Sequence, residues 1–227
     1  MFFQIKNKNN TNQRDKLTSN TEVRNMVDKI CNFLTNKIKK KMPDISDERA
    51  DAINFGLQLM VGEIPKTFVF IAIALALGIL KEFFITVLVI FPYRAFSGGF
   101  HLKTHIGCII GTSLMYCGIP FLSKYIILSN MLKYSLIVLV WIFGIIMCKL
   151  YAPADTENVP ILKKKTRKTK QILSYITLTI TLIIGVFISN SIISNIIILG
   201  MFVQSLMITR IAYKITNNKY GYEVYAE

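Results

Sequence analysis

The sequence predicts an all-α protein that crosses a membrane several times. Of its 227 residues, 52% are hydrophobic, and the mean hydropathy of +0.45 is too high for an ordinary soluble domain. A helix needs about 20 residues to cross the hydrocarbon core, and fewer where flanking lysines snorkel. Apolar blocks nearly free of charge lie at Phe68–Leu80, Phe83–Phe91, Ile106–Phe121, Leu136–Leu150, Ile172–Ile188 and Ile192–Ile208. They predict a polytopic protein with about six transmembrane segments, of which the second and third are irregular.

The segment before the first predicted span is polar and charged. Residues 1–20, rich in Asn, Lys, Gln and Thr, predict a mobile basic tail. Residues 21–60 predict two amphipathic helices at the cytoplasmic membrane surface, because apolar side chains recur at helical spacing and Pro43-Asp44 separates them. No apolar stretch with a small-residue cleavage site opens the chain, so we expect it to insert through its own first span.

The first span is expected to begin near Ile64 and to end at a tight external turn at Lys81-Glu82. Glu63 and Pro65 stand at its mouth. A carboxylate there is either solvated or functional, because ionisable residues inside membranes are functional candidates by default. If it is functional, Arg94 is its expected partner.

Positive charge predicts the orientation of the membrane domain, residues 61–213. Lysines cluster at 37–41 and at 163–170, beside apolar blocks, and such residues mark the cytoplasmic side. With an even number of spans, the amino terminus and the tail at 214–227 are both cytoplasmic. The polar segment Arg94–His105 then faces the cytoplasmic leaflet.

The net charge of +14 favours a membrane surface over nucleic acid. Its basic clusters lie just outside apolar blocks, where they meet anionic lipid heads. The sequence has neither zinc-finger spacing nor the basic surface with interleaved aromatic residues that nucleic-acid binding would favour. We therefore expect membrane lipids as partners, and no nucleic acid.

The four cysteines have no disulfide-framework spacing and no CxxC pair. Cys31, Cys117 and Cys148 are expected to pack as small hydrophobic side chains. Cys108 differs, because the polar, glycine-broken segment Arg94–His101 precedes it. Such a break between spans is tolerated where it is buried in protein or lines a wet cavity. With a thiol and an imidazole beside it, the simplest hypothesis is a membrane-embedded cysteine active site.

The polar segment supplies the groups that cysteine catalysis needs. An imidazole beside a thiol stabilises the thiolate. Gly98-Gly99, directly after Ser97, lets the backbone approach a substrate and lets N–H groups turn towards an oxyanion. Arg94 is suited to hold a substrate carboxylate or to orient this loop.

Two histidines compete for the role of the base. His105 lies three residues from Cys108 and touches it in a regular helix, whereas His101 is seven residues away, roughly 10 Å along an unbroken helix. Spacing favours His105 slightly, and His101 requires a broken helix after the glycines. The same two histidines with Cys108 also match the ligand types of a zinc-dependent hydrolase. A transporter or channel lined by Glu63, Arg94 and His101 is a further alternative.

The order of these residues resembles the accessory gene regulator B family, the membrane peptidases of Gram-positive peptide quorum sensing. Three segments carry the resemblance, which covers nearly the whole chain: Gly56–Glu63, Arg94–Cys108 and Tyr151–Asn158. The middle segment has the spacing of the family signature. Val159 departs from the pattern, since a lysine is expected there, although Lys163–Lys165 follow closely.

The resemblance implies a chemistry and a substrate. His101 and Cys108 are then the catalytic pair of a thiol protease, without cofactor or metal. Cys108 attacks an AgrD-type pro-peptide at the end of its signal segment, and a thiol or hydroxyl of the peptide then closes a thiolactone or lactone ring. Asp155, Glu157 and Asn158 either supply a third catalytic member, shape a cytoplasmic loop that contacts the substrate, or only cap a helix end.

We expect the protein in the bacterial cell membrane as a homodimer. Small residues permit close helix packing in membranes, and they lie in or beside the predicted spans at Gly78, Gly111, Gly144 and Gly200. The dimer itself is an expectation that the sequence permits and does not require.

Overall fold

The computed structural model describes residues 28–42, 45, 47–100, 102, 105–157 and 160–225, and these are helical apart from turns and short loops. Helix α1 covers residues 28–41. The other helices are α2 (Asp47–Ala76), α3 (Leu80–Ser97), α4 (His105–Ser113), α5 (Ile119–Ser123), α6 (Asn130–Tyr151), α7 (Lys164–Phe187), α8 (Ser191–Met207), α9 (Arg210–Ile215) and α10 (Gly221–Tyr225). The predicted all-α class is confirmed for this part of the chain, in which no strand occurs.

Two of the described helices, α6 and α7, are long and apolar enough to cross a membrane. They fall on the fourth and fifth predicted spans. Shorter apolar helical stretches fall on the first, third and sixth, at Lys66–Ala76, Gly107–Ser123 and Ser191–Met207. These helices are consistent with the predicted membrane protein, and the number of six spans stays a prediction.

The chain divides into two compact units, residues 1–69 and 70–227. In the first unit Asn54 Nδ2 donates to Asn32 Oδ1 at 2.8 Å, and Cys31 is buried. Both predicted amphipathic segments are helical where they are described, while the predicted tail 1–20 lies outside the described residues. The second predicted amphipathic helix was expected to end near residue 60, but it continues without a break through Pro65 as part of α2.

Helix α2 is closed by a glycine in the left-handed conformation. Gly78 has φ +63°, and the N–H groups of Gly78 and Ile79 donate to Leu75 O at 3.0 Å and to Ala74 O at 2.9 Å. This pattern satisfies the last carbonyls of a helix. The turn predicted at Lys81-Glu82 was therefore wrong, because the chain turns earlier and these two residues lie in the first turn of α3.

Four helices of the second unit form a bundle in which α7 and α8 pack against each other, and each packs against α3 and α6. A Cβ at Gly144 would lie 2.6 Å from Leu178, and one at Gly200 would lie 2.9 Å from Ile90. The close packing predicted for these two glycines therefore occurs within the chain. They lend no support to a dimer, which stays a prediction.

The third predicted span is irregular at its carboxyl end. A π-helical turn, Leu114–Gly118, follows α4 directly and leads into α5. Pro120 is the cause, because proline has no N–H to donate and its ring would clash with the carbonyl of Tyr116 in an ordinary α-helix. Widening the preceding turn removes that clash.

Three of the four cysteines are packed, as predicted. Cys31, Cys117 and Cys148 are buried, whereas Cys108 is partly exposed. Cys148 Sγ lies 3.1 Å from the hydroxyl of Tyr93 inside the bundle. Cys108 is therefore the one cysteine that the fold leaves accessible.

Candidate functional site

Two segments far apart in the sequence lie side by side: residues 98–100, here the site loop, and residues 152–157, here the second-motif loop. The N–H of Ala154 donates to Ser97 O at 2.8 Å, and the N–H of Gly99 donates to Ala154 O at 2.9 Å. These bonds form a short parallel bridge. The two most specific motifs of the sequence are therefore joined through their backbones.

The approach of the two loops requires glycine at position 98. Gly98 has φ +76°, and a Cβ there would lie 2.2 Å from Ala154 O. The N–H groups of both glycines donate inside the protein, that of Gly98 to Arg94 O at 2.9 Å and that of Gly99 to Ala154 O. In this conformation the two N–H groups that were predicted to bind an oxyanion donate to carbonyls of the protein and stabilise the loop.

Arg94 is hydrogen-bonded to the site loop; it was predicted either to orient this loop or to hold a substrate carboxylate. Its Nη2 donates to Phe100 O at 3.3 Å, and its Nη1 donates to Gln204 Oε1 at 3.1 Å. No ion pair of Arg94 occurs among the described residues. The side chain of Glu63 lies outside them, so the pairing predicted between Glu63 and Arg94 stays a prediction.

Gln204 of α8 is a site residue that the sequence reasoning missed. Its side chain is fully buried, and its Nε2 donates to Ser97 Oγ at 3.0 Å and to Gly98 O at 2.8 Å. A signal was present in the sequence, because an amide within an apolar span is costly unless it is bonded.

Asp155 is held by a buried ion pair. Its Oδ2 lies 3.1 Å from Arg167 Nη1 and accepts from the N–H of Ile161 at 2.8 Å, while its Oδ1 has no hydrogen-bond partner among the described residues. Arg167 also donates to Pro153 O at 3.2 Å, and its guanidinium lies over the Tyr222 ring. Arg167 was missed as well, although it is the one arginine in the lysine-rich run 163–170.

Two stacked tyrosines that follow α8 in the chain also hold the second-motif loop in place. The hydroxyl of Tyr213 donates to Ala154 O at 2.9 Å and to Asp155 O at 3.1 Å. The ring centroids of Tyr213 and Tyr220 are 4.1 Å apart. A Cβ at Gly221 would lie 2.3 Å from Thr156 O, so the backbones touch here too.

Burial raises the pKa of Tyr213 and Tyr220 well above the usual value for a phenol. Both phenols therefore stay protonated in the folded protein at pH values where an unfolded chain ionises them, near pH 10. Because the folded state then binds more protons than the unfolded state, their contribution to stability is complete below about pH 10 and decreases as the pH rises further.

Replacing Tyr213 by phenylalanine removes both hydrogen bonds and leaves the ring. We expect Tyr213→Phe to lower the free energy of unfolding by about 1–2 kcal/mol, because the carbonyls of Ala154 and Asp155 lose a buried donor. Thermal unfolding in detergent would show a lower Tm, and Tyr225→Phe, at an exposed position, is the matched control. Equal Tm values for the two variants would contradict this role.

The candidate catalytic residues are only partly described. Cys108 is the fourth residue of α4 and is partly exposed. Residues 98–100 and 102 are not helical, in agreement with the interruption that pairing Cys108 with His101 requires. His101 and Asn158 lie outside the described residues, as does the side chain of His105. Glu157 is half-buried in a turn. Among the described residues, which exclude His101, no three His, Cys, Asp or Glu side chains are grouped to hold a metal ion.

Comparison with known proteins gives a consistent result. An AgrB-like protein of Listeria welshimeri is 28% identical over 177 residues, which cover 76% of this chain and 83% of that protein. The accessory gene regulator protein B of Staphylococcus saprophyticus is 26% identical over 155 residues, 68% of this chain and 79% of its own. No solved structure matches the chain. The family model of accessory gene regulator B matches residues 31–208, and the chain therefore belongs to the accessory gene regulator B family.

Proposed function

We propose that this protein is a membrane cysteine endopeptidase that cleaves an AgrD-type pro-peptide, with Cys108 as the nucleophile and His101 as the base. Membership of the family implies a role in accessory gene regulator quorum sensing. One structural observation supports the site most directly. The accessible cysteine follows a non-helical loop whose backbone is hydrogen-bonded to the second motif.

The first step forms a thioester. The imidazole takes the thiol proton, and the Cys108 thiolate attacks the carbonyl carbon at the end of the future signal segment. The C–N bond then breaks, and the imidazolium returns the proton to the leaving amine. The carboxyl-terminal piece of the pro-peptide leaves, and the signal segment stays on Cys108.

The second step closes the ring. A thiol or hydroxyl of the bound peptide attacks the thioester carbonyl, the C–S bond to Cys108 breaks, and the proton passes through His101 to the cysteine. Exchange between two thioesters is nearly balanced in free energy, so water must be kept from the intermediate. A lipid-embedded site supplies this exclusion, which gives the membrane location a chemical purpose.

The remaining residues act as support in this proposal. Arg94, Ser97 and the two glycines fix the site loop through the bonds described above. Asp155 fixes the second-motif loop, on which Glu157 and Asn158 would meet the peptide at the cytoplasmic leaflet. Glu63 stays a candidate partner of Arg94. Cytoplasmic termini and a homodimer belong to the same proposal.

Cleavage of the co-expressed AgrD-type pro-peptide of the same genome, read by mass, tests the assignment. We expect Cys108→Ser and His101→Ala to lose cleavage by at least about a hundredfold, since each removes an essential group, while His105→Ala stays active. Loss with His105→Ala and survival with His101→Ala would make His105 the base. Cleavage by Cys108→Ser would end the cysteine-peptidase proposal.

A further inference from the structure

We propose that Gln204 is a positioning residue for the cleavage step, because it holds Arg94 and the site loop in one arrangement. This inference rests on the proposed function. Gln204 lies on α8, more than a hundred residues after the site loop in the sequence. It touches no candidate catalytic side chain that the structure describes, so it acts through the residues that it binds.

The carboxamide of Gln204 has every hydrogen-bonding group occupied. Its Oε1 accepts from Arg94 Nη1 at 3.1 Å, and its Nε2 donates to Ser97 Oγ at 3.0 Å and to Gly98 O at 2.8 Å. The guanidinium can only donate, so the amide oxygen has to face Arg94 and the amide nitrogen the loop. Of the common side chains of this length, only an amide offers an acceptor on one side and two donors on the other.

These bonds extend to the residue before the candidate base. Nη1 of Arg94 donates to Gln204 Oε1 and also to Met207 Sδ, which lies 3.2 Å away. Nη2 of the same arginine donates to Phe100 O. The backbone of the site loop is therefore fixed at two carbonyls, one held by Gln204 directly and the other through Arg94. Because Gln204 is neutral, it binds Arg94 without adding a negative charge beside the loop.

The variant Gln204→Glu tests this arrangement with little change in shape. It keeps an acceptor for Arg94, removes both N–H donors to the loop, and neutralises the guanidinium. Since displacing supporting groups by small distances lowers catalysis strongly, we expect kcat for pro-peptide cleavage in membrane vesicles to fall about tenfold to a hundredfold. The KM for the pro-peptide should stay within about threefold, because Gln204 is buried and does not face the substrate.

Asn195 provides a matched control on the same helix. It is also buried, and its Nδ2 donates to Ser123 O at 3.2 Å and to Ile126 O at 2.8 Å, away from the site loop. Asn195→Asp makes the same amide-to-acid change, so it should lower the Tm while kcat stays within about twofold of wild type. A purely structural role for Gln204 predicts the same behaviour for both variants.

A second variant covers the case in which Gln204→Glu does not fold. Gln204→Met has similar length without polar atoms, so it should lower kcat as Gln204→Glu does. If a folded Gln204 variant has the same kcat as Asn195→Asp, the positioning role is overturned while the proposed function stands. If wild type fails to cleave, or Cys108→Ser cleaves, the proposed function fails and this inference fails with it.

Discussion

Replacing Gly98 by alanine is expected to abolish pro-peptide cleavage, with a loss of at least about a hundredfold. Two independent effects act at this position. The left-handed φ of +76° disfavours any side chain, and the new Cβ would lie 2.2 Å from Ala154 O. Backbone cannot yield as a flexible side chain does, so the site loop has to separate from the second-motif loop. Cleavage of the co-expressed pro-peptide, read by mass, measures the effect.

Gly78→Ala is the matched control for this prediction. Gly78 also has a left-handed φ, +63°, but nothing lies within 4 Å of the Cβ position. The variant therefore carries a backbone penalty of about 1 kcal/mol without the collision. The penalty at Gly98 is larger, because its ψ of −152° lies in a region that is essentially restricted to glycine. We expect a small decrease in Tm and normal cleavage. If both variants lost cleavage equally, backbone strain alone would explain the result, and the contact with Ala154 would have no special role.

Replacing Asp155 by alanine is expected to give the largest loss of stability. Asp155 is fully buried as a side chain, and its partner Arg167 is only 21% exposed. Removing one member of such a pair leaves a charge poorly solvated and costs about 3 kcal/mol, and the N–H of Ile161 also loses its acceptor. A decrease of roughly 5 °C or more in Tm should follow. Asp155→Asn keeps an acceptor for Ile161, so its Tm should lie between those of wild type and Asp155→Ala.

The pair Arg210–Glu223 is a contrasting ion pair at the protein surface. Both side chains are more than half exposed, and exposed pairs contribute about 0–1 kcal/mol. Glu223→Gln should therefore change the Tm little. If its effect equalled that of Asp155→Ala, burial would not be the reason for the contribution of Asp155.

The helices and the packed cysteines could be predicted from the sequence because their signals are local. Long apolar blocks predict α6 and α7 without any knowledge of what they contact. The end of α2 was misplaced because charged residues at 81–82 were taken as the turn, whereas the backbone conformation of Gly78 determines it. Charge indicates where a chain meets water, while a helix ends where its last carbonyls find donors.

The site could be predicted only in part. The residues on the site loop form a compact motif, so one short segment was enough to select them. The supports of the second-motif loop come from other parts of the chain: Arg167 lies in a basic run that otherwise suggests lipid heads, and Tyr213 follows the last predicted span. Such contacts join residues from 12 to 59 positions apart, and a single sequence carries no periodic signal for them.

The second-motif loop has a consequence for the order of biosynthesis. It lies between Gly98 and Gly221, which is made more than a hundred residues later, and both glycines contact its backbone. Gln204 and Tyr213, which hold the two loops, also emerge from the ribosome after both of them. A nascent chain that has already inserted α3 and α4 therefore lacks these supports until α8 and Tyr213 have also been made. On this view the proposed site stays incomplete while these segments are still being made, and a pro-peptide meets a competent site only after they have joined the two loops.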